Sequence, residues 1–435
     1  MHSFAAEIIL ITILGLVVFS DALANKLKIP SVFILLIGSY LIYTYVPMAV
    51  PIDLTQHFDT IILFCIPLIF MGDALHLHFL DIKKYALDIF YLAVVAVSLS
   101  ISVGASMYYF GIFEGLSIGA YVSLFAINMA TDAVSVQSIL SRFKGISHHI
   151  KVLIEGESLG NDATAVIAFF FIGLPWMMSG EIEAGTALFD ALRVFAMSIG
   201  IGIIIGFVFY MLMKLFSDKR SEFFAFVIEA YLAYVIAEQM HISGILTLIV
   251  AIIATKAWID ADHAEEEESQ AKKHKGFLRK LRLENIKSTT TERLEYIYEM
   301  AKEFGYIAAV MIFFVLAEMV SLEKLWEYKV EILIMFAITT LIRAISMAKF
   351  AFLGDKVKQI APVGVEGWFI LTFSGMKGAL SIILVHMIPA DFAHKEFFEV
   401  VTTGVVMMSI FVYGTTLWTY FTFFKKEEEG KLFVS

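Results

Sequence analysis

The chain has 435 residues, 59% of them hydrophobic and 17% charged, with a mean hydropathy of +0.81. Soluble domains carry about a quarter charged residues, and the deficit here runs along the whole chain, which excludes a soluble domain on a single anchor and indicates a multi-span membrane protein. One cysteine, Cys65 in an apolar run, excludes a disulfide framework and a cysteine-built metal site. The net charge of -10 comes partly from Glu265–Glu268 and Glu427–Glu429 and says little about partners.

At the N-terminus, Ala22-Leu23-Ala24 resembles a signal-peptide cleavage site. The stretch before it has no Lys or Arg and contains Glu7, the wrong flank for a signal, so it reads as a first span. Apolar runs able to cross about 30 Å of hydrocarbon as ~20 helical residues fall at 5–21, 31–48, 59–76, 85–110, 115–140, 150–177, 186–214, 221–239, 242–258, 295–320, 328–350, 365–389 and 396–424, thirteen in all. This divides the chain into a membrane region 1–258 with spans one to nine, a charged loop 259–294, a membrane region 295–424 with spans ten to thirteen, and a tail 425–435. The expected fold is an all-α polytopic membrane protein of about thirteen transmembrane helices.

Loop charges test that count, because Lys and Arg in short loops favour the cytoplasm. Loops after odd-numbered spans carry Lys26 and Lys28, Lys83 and Lys84, Arg142 and Lys144, Lys219 and Arg220, a basic cluster from Lys272 to Arg293, and Lys356 and Lys358. The tail adds Lys425, Lys426 and Lys431. The first four loops after even-numbered spans carry none, and the later two hold Lys324, Lys329 and Lys395 beside glutamates. The alternation puts the N-terminus outside and the C-terminus inside. The segment 260–293 opens acidic and turns basic through Lys272, Lys273, Lys275, Arg279, Lys280 and Arg282. It reads as a solvated cytoplasmic connector or an anionic-lipid contact, with nothing to suggest nucleic acid.

An ionised side chain at the bilayer centre costs at least ~2.5–3.5 kcal/mol, so it faces a protein interior and has a task. The sixth span contains Glu155-Gly-Glu157-Ser158-Leu-Gly160-Asn161-Asp162. On a helix Ser158 and Asp162 share one face, and Glu157 and Asn161 the adjacent one. Hard monovalent cations want oxygens of this kind, and a buried carboxyl can hold a proton or a cation in turn; polar helix–helix contact is the plainer alternative. In the fifth span, Asn128-Met-Ala-Thr131-Asp132 competes with the helical backbone for hydrogen bonds and invites unwinding at the midplane, where transporters place ions. The twelfth span holds Ser374-Gly375-Met-Lys377-Gly378-Ala-Leu-Ser381, a second interruption or a close-packing stripe, with Lys377 available to neutralise the negative end of a broken half-helix.

Arg343 in the eleventh span needs a partner, for which Glu157 is the candidate. Asp73 in the third span either reaches the site or ends the span; Asp88, Asp190, Arg193, Glu229 and Glu318 suit interfaces or structural pairs. His76 and His78, two residues apart, do not share a helical face and so do not suit a metal, though they could sense pH. The two interruptions are seven spans apart, an odd offset that reverses orientation. Spans 1–6 and 8–13 would then form inverted six-helix repeats whose two discontinuous helices cross.

At Thr131-Asp132 and Glu157-Ser158-x-x-Asn161-Asp162, with Arg343 and Gly375-Met-Lys377-Gly378, the chain resembles the NhaP-type sodium/proton antiporters of the monovalent cation/proton antiporter superfamily. The resemblance implies a homodimer in the cell membrane with a dimerisation domain and a moving six-helix core, exchanging Na⁺ or Li⁺ for H⁺ without a cofactor. It implies that Asp162 carries the ion and the proton, with Asp132, Ser158 and Thr131 as further Na⁺ ligands, Asn161 also among the ion- and proton-binding residues, and Asp73 a lesser candidate. Asn161 stands where the electrogenic branch has a second aspartate, which implies electroneutral one-for-one exchange, and Glu157 with Arg343 looks like the family's structural ion pair. Three positions depart from the pattern. Ala133 follows Thr-Asp where many members have proline, so a gentler break is expected; Lys377 replaces the usual Arg; and Asp73 replaces a usual Glu. The rival readings are K⁺/H⁺ exchange on the same scaffold and a cation channel. The enzyme rival, an intramembrane aspartyl protease, fits less well because Gly72-Asp73 and Gly354-Asp355 lack the earlier glycine of its motif, and no phosphate loop suggests an ATP-driven pump.

Overall fold

The computed structural model describes residues 4–27, 31–51, 54, 57–77, 79–140, 143, 146–181, 183–216, 218–273, 277–352 and 363–424. Lys28, His78, Arg142, Lys144, Lys275, Lys356, Lys358 and the tail 425–435 lie outside these residues, as do the side chains of Glu318 and of the charged run 263–292.

Among the described residues every regular element is helical, as backbone in hydrocarbon must be, since lipid offers no partner for a free N–H or C=O. In chain order the helices are α1 (Ala5–Leu27), α2 (Ser31–Tyr45), α3 (Phe58–His76), α4 (Phe79–Phe90) running through a π-helical turn into α5 (Val97–Ser106), α6 (Ile118–Ile127), α7 (Ala133–Leu140), α8 (His148–Ala168), α9 (Leu174–Ser179), α10 (Ala184–Met213), α11 (Lys219–Gln239), α12 (Gly244–Lys273), α13 (Phe277–Met319), α14 (Leu322–Glu327), α15 (Lys329–Phe352), α16 (Gly364–Phe373), α17 (Ala379–His386), α18 (Lys395–Met408) and α19 (Gly414–Thr419). Each of the thirteen apolar runs contains helix, and among the described residues eight stretches are long and apolar enough to cross a membrane. Helix starts follow capping chemistry: Ser117 accepts from Ala120 N at 3.2 Å, Ser147 from Ile150 N at 3.3 Å, and Asp218 from Ser221 N at 2.9 Å.

Two boundaries move. The fourth span begins earlier, with Lys83 and Lys84 already helical in α4 before a kink at Tyr85. The charged connector is largely helix, α12 continuing to Lys273 and α13 starting at Phe277. The cause is local. Glu, Lys, Gln and Arg are good helix formers, and no Gly or Pro intervenes before Gly276.

The chain divides into two compact units, each discontinuous in sequence: Met1–Ile62 with Tyr85–Ala191 and Ala309–Ser435, and Leu63–Lys84 with Leu192–Ala308. In the second unit, Gly202 and Gly206 of α10 lie against α12. A Cβ at Gly206 would meet the Ala251 carbonyl oxygen at 2.7 Å, and Thr255 Oγ1 lies 3.0 Å from Gly206 O. That approach brings Thr255 within 2.6 Å of Glu229 Oε1, so Glu229, fully buried on α11, is held in a polar contact away from charge. Lys256 is buried beside it in sequence and donates to Leu75 O and Leu77 O, covering the free carbonyls at the end of α3. Asp73 lies on this part of α3, half-buried, next to Gly72, where a Cβ would meet Ala301 O of α13 at 3.2 Å. His76 stacks on Tyr298 with ring centroids 4.8 Å apart. Gly206→Ala forces α10 from α12 and is expected to destabilise the protein by about 1–3 kcal/mol, read as a lower melting temperature in detergent; an unchanged melting temperature would contradict the close packing.

Candidate site at two crossing helix breaks

The first unit contains both predicted interruptions. Helix stops at Ile127 and resumes at Ala133, and stops at Phe373 and resumes at Ala379. The gentler break expected from Ala133 is not found: five residues, 128–132, are non-helical without proline. Tertiary bonds replace the lost ladder. Asp132 N–H donates to Met376 O at 2.8 Å across the two breaks, Ser381 Oγ–H donates to Ile127 O at 2.9 Å, and Asn128 Nδ2 donates to Leu124 O at 2.9 Å and to Thr402 Oγ1 at 3.3 Å. On the far side of the second break, Lys377 N–H donates to Ser409 Oγ at 2.8 Å.

The crossing is close because it occurs at Gly378, where a Cβ would stand 2.6 Å from Asp132 Cβ. At Gly375 the space of a side chain is filled in the same way by Arg343, whose Nε would collide with an added Cβ. Gly378→Val is therefore expected to part the two breaks and to destabilise the protein by about 1–3 kcal/mol. The melting temperature in detergent measures this, and an unchanged value would refute the close crossing.

α8 faces the first break with the Ser158–Asp162 stripe. Asp162, 5% exposed, accepts the Thr131 N–H at 3.2 Å on Oδ1. Ser158 Oγ donates to Thr131 O at 2.8 Å and accepts the Ala133 N–H at 3.1 Å. Asp132 is the least buried of the four. Its carboxylate caps α7, accepting Ser135 N–H at 3.2 Å and Ser135 Oγ–H at 2.5 Å. Asp132, Ser158, Thr131 and Asp162 thus lie together at one break, with Ser158 and Asp162 on the same face of α8.

The other stripe of α8 faces α15. Glu157 and Arg343 form a bidentate pair, one arm at 2.8 Å between Nη2 and Oε2, both largely buried. Asn161 Nδ2 donates to Glu157 Oε1 at 2.9 Å, a bond that an aspartate could not make, and its Oδ1 has no hydrogen-bond partner among the described residues. Arg343 Nε also donates to Thr372 O at 3.0 Å and Nη2 to Leu371 O at 2.8 Å. The carbonyl end of α16 is thus covered by Arg343, a service the sequence pointed to Lys377 for. Lys377 is 4% exposed and lines a cavity of ≈ 30 Å³ with Glu157, Asn161 and Arg343. In the same unit Asp88 pairs with Lys349 at 3.5 Å.

Sequence reasoning missed the backbone partners. Ser135 was open to discovery, three residues after an acid that starts a helix. Nothing local pointed to Met376, Ser409 or Leu371, which lie hundreds or tens of residues from what they bind. No group of three or more His, Cys, Asp and Glu suited to a metal ion occurs among the described residues.

The chain matches known proteins over nearly its whole length. A Na(+)/H(+) antiporter, ApNhaP from Aphanothece halophytica, is 25% identical over 82% of this chain, which spans 63% of that relative. NhaH from Halobacillus aidingensis, also a Na(+)/H(+) antiporter, is 26% identical over 96% of this chain and 98% of its own length. In fold, the chain is similar to the sodium proton antiporter MjNhaP1 from Methanocaldococcus jannaschii, with a TM-score of 0.71 and 15% identity, covering 95% of this chain and 100% of that one. The family model for "Sodium/hydrogen exchanger, transmembrane" matches residues 9–422, and the chain belongs to that family of multi-pass membrane proteins.

Proposed function

We propose that the protein exchanges Na⁺ (or Li⁺) for H⁺ across the cell membrane by alternating access, one for one, as a homodimer serving sodium and pH homeostasis. The observation that carries this is the convergence of two carboxylates, a hydroxyl and a buried main-chain carbonyl outside the helical ladder at crossing helix breaks, in a chain of this family. Asp162 is the exchanging acid, and Asp132, Ser158 and Thr131 O supply further oxygens to a small hard cation. Asn161 serves through Glu157 and not as a proton carrier.

Charge accounts for the stoichiometry. Asp132, Asp162 and Glu157 stand against Arg343 and Lys377, which leaves one negative charge when all five are ionised. One Na⁺ or one H⁺ neutralises the site, and either neutral form crosses. The empty, ionised form is held back by the cost of moving an unpaired charge through a low-dielectric barrier. A proton and a cation therefore take turns.

In proteoliposomes, a Na⁺ or Li⁺ gradient is expected to drive opposite proton movement with no membrane current, and K⁺ to drive none. Equal drive by K⁺ would transfer the reading to K⁺/H⁺ exchange. Current without proton movement would make the protein a channel.

A further inference from the structure

Ser158 has a competitor for its oxygen that belongs to the chain itself. Its Oγ lies 2.8 Å from Thr131 O and 3.1 Å from Ala133 N. A carbonyl only accepts, so the single hydroxyl hydrogen goes to Thr131, and the Ala133 amide donates into one of the two lone pairs of Oγ. Both contacts are buried. The amide presents its positive end to the oxygen at which a cation would bind, so any ion coordinated by Ser158 shares it with a competing dipole.

We propose that the backbone amide of Ala133 sets the cation affinity of the site by competing for Ser158 Oγ. The inference rests on Ser158 being a cation ligand, and it adds a residue whose side chain is a methyl and whose part is played by its N–H. Ala133 is the first residue of α7, directly after the capping Asp132. Its N–H lies outside the helical ladder, which leaves it free to take this role.

The test must delete the N–H without adding an atom, because proline would put its ring Cδ where that hydrogen points and push Ser158 Oγ aside. An ester at 133, made by incorporating the α-hydroxy analogue of alanine, exchanges the N–H for an oxygen. The ester is expected to lower the half-saturating Na⁺ concentration about 2–10-fold, the worth of one neutral hydrogen bond. In Ser158→Ala the ester should have no further effect.

An unchanged or weaker affinity in the ester variant, with Ser158→Ala still impairing Na⁺ binding, overturns the competition and leaves the ligand assignment standing. No effect of Ser158→Ala on Na⁺ overturns the ligand assignment and this inference with it. Should the ester variant fail to fold, hydrogen exchange of the unmodified protein decides: saturating Na⁺ should speed exchange at the Ala133 amide by drawing Ser158 away, and slower or unaltered exchange there counts against competition.

Discussion

Asp162→Asn yields a folded protein that moves no protons in response to sodium. The substitution is nearly isosteric and retains an oxygen to accept the Thr131 N–H, now made at 3.2 Å to Oδ1. What it removes is the ability to gain and lose a charge. With Asn at 162 the site can neither release a proton to admit Na⁺ nor take one up to expel it, so exchange falls to the background of empty liposomes. Sodium-jump assays with an internal pH dye measure this, alongside melting curves that should match the parent. Asp162→Glu keeps the carboxyl but pushes it about one methylene into a packed site, so a fraction of the activity should survive. Sodium-driven alkalinisation persisting in the asparagine variant at anything near the parent rate would end the assignment of residue 162.

Arg343→Leu is expected to cost more in folding than any other single change at the site. Breaking a buried pair by removing one partner costs about 3–5 kcal/mol, because the remaining charge stays in low dielectric. Here Glu157 would be stranded at 2% exposure. The same substitution also uncovers Leu371 O and Thr372 O at the end of α16, which Arg343 now bonds at 2.8 and 3.0 Å. Glu157→Gln strands only the guanidinium, which keeps those two carbonyls, and should be milder. The double variant Glu157→Leu, Arg343→Leu should recover part of the loss but not all of it, since the carbonyls stay bare. Size-exclusion profiles and melting temperatures across this cycle give the comparison; an Arg343→Leu protein as stable as the parent would mean the pair holds nothing together.

Most of the helical architecture could be read from the order of residues. Hydrophobic runs announce themselves because hydrocarbon leaves the backbone no option but helix, and all thirteen were occupied. The site chemistry was legible for a related reason: a charge inside an apolar run is costly enough to be conspicuous. Helical spacing then separated Ser158 and Asp162, which meet the first break, from Glu157, which meets Arg343, and Asn161, which meets Glu157. Local pattern was weakest on how the chain ends its half-helices. Ala133 in place of proline predicted a mild disturbance, yet the break is five residues long, since the crossing segment of the second break supplies Met376 O to an amide that the helix no longer satisfies.

The amino-acid order by itself determined that this is a many-span helical membrane protein with its carboxylates on α8 and at the first break, because burial of charge and the solvent properties of lipid act residue by residue. The tertiary structure alone decided which group meets which. Arg343 rather than Lys377 covers the end of α16, the amide of Ala133 reaches Ser158, and Gly378 lets two broken helices touch at Asp132. Those outcomes depend on distances between helices remote in the chain, and hydrogen-bond partners in a core are chosen by packing, which no window of sequence contains.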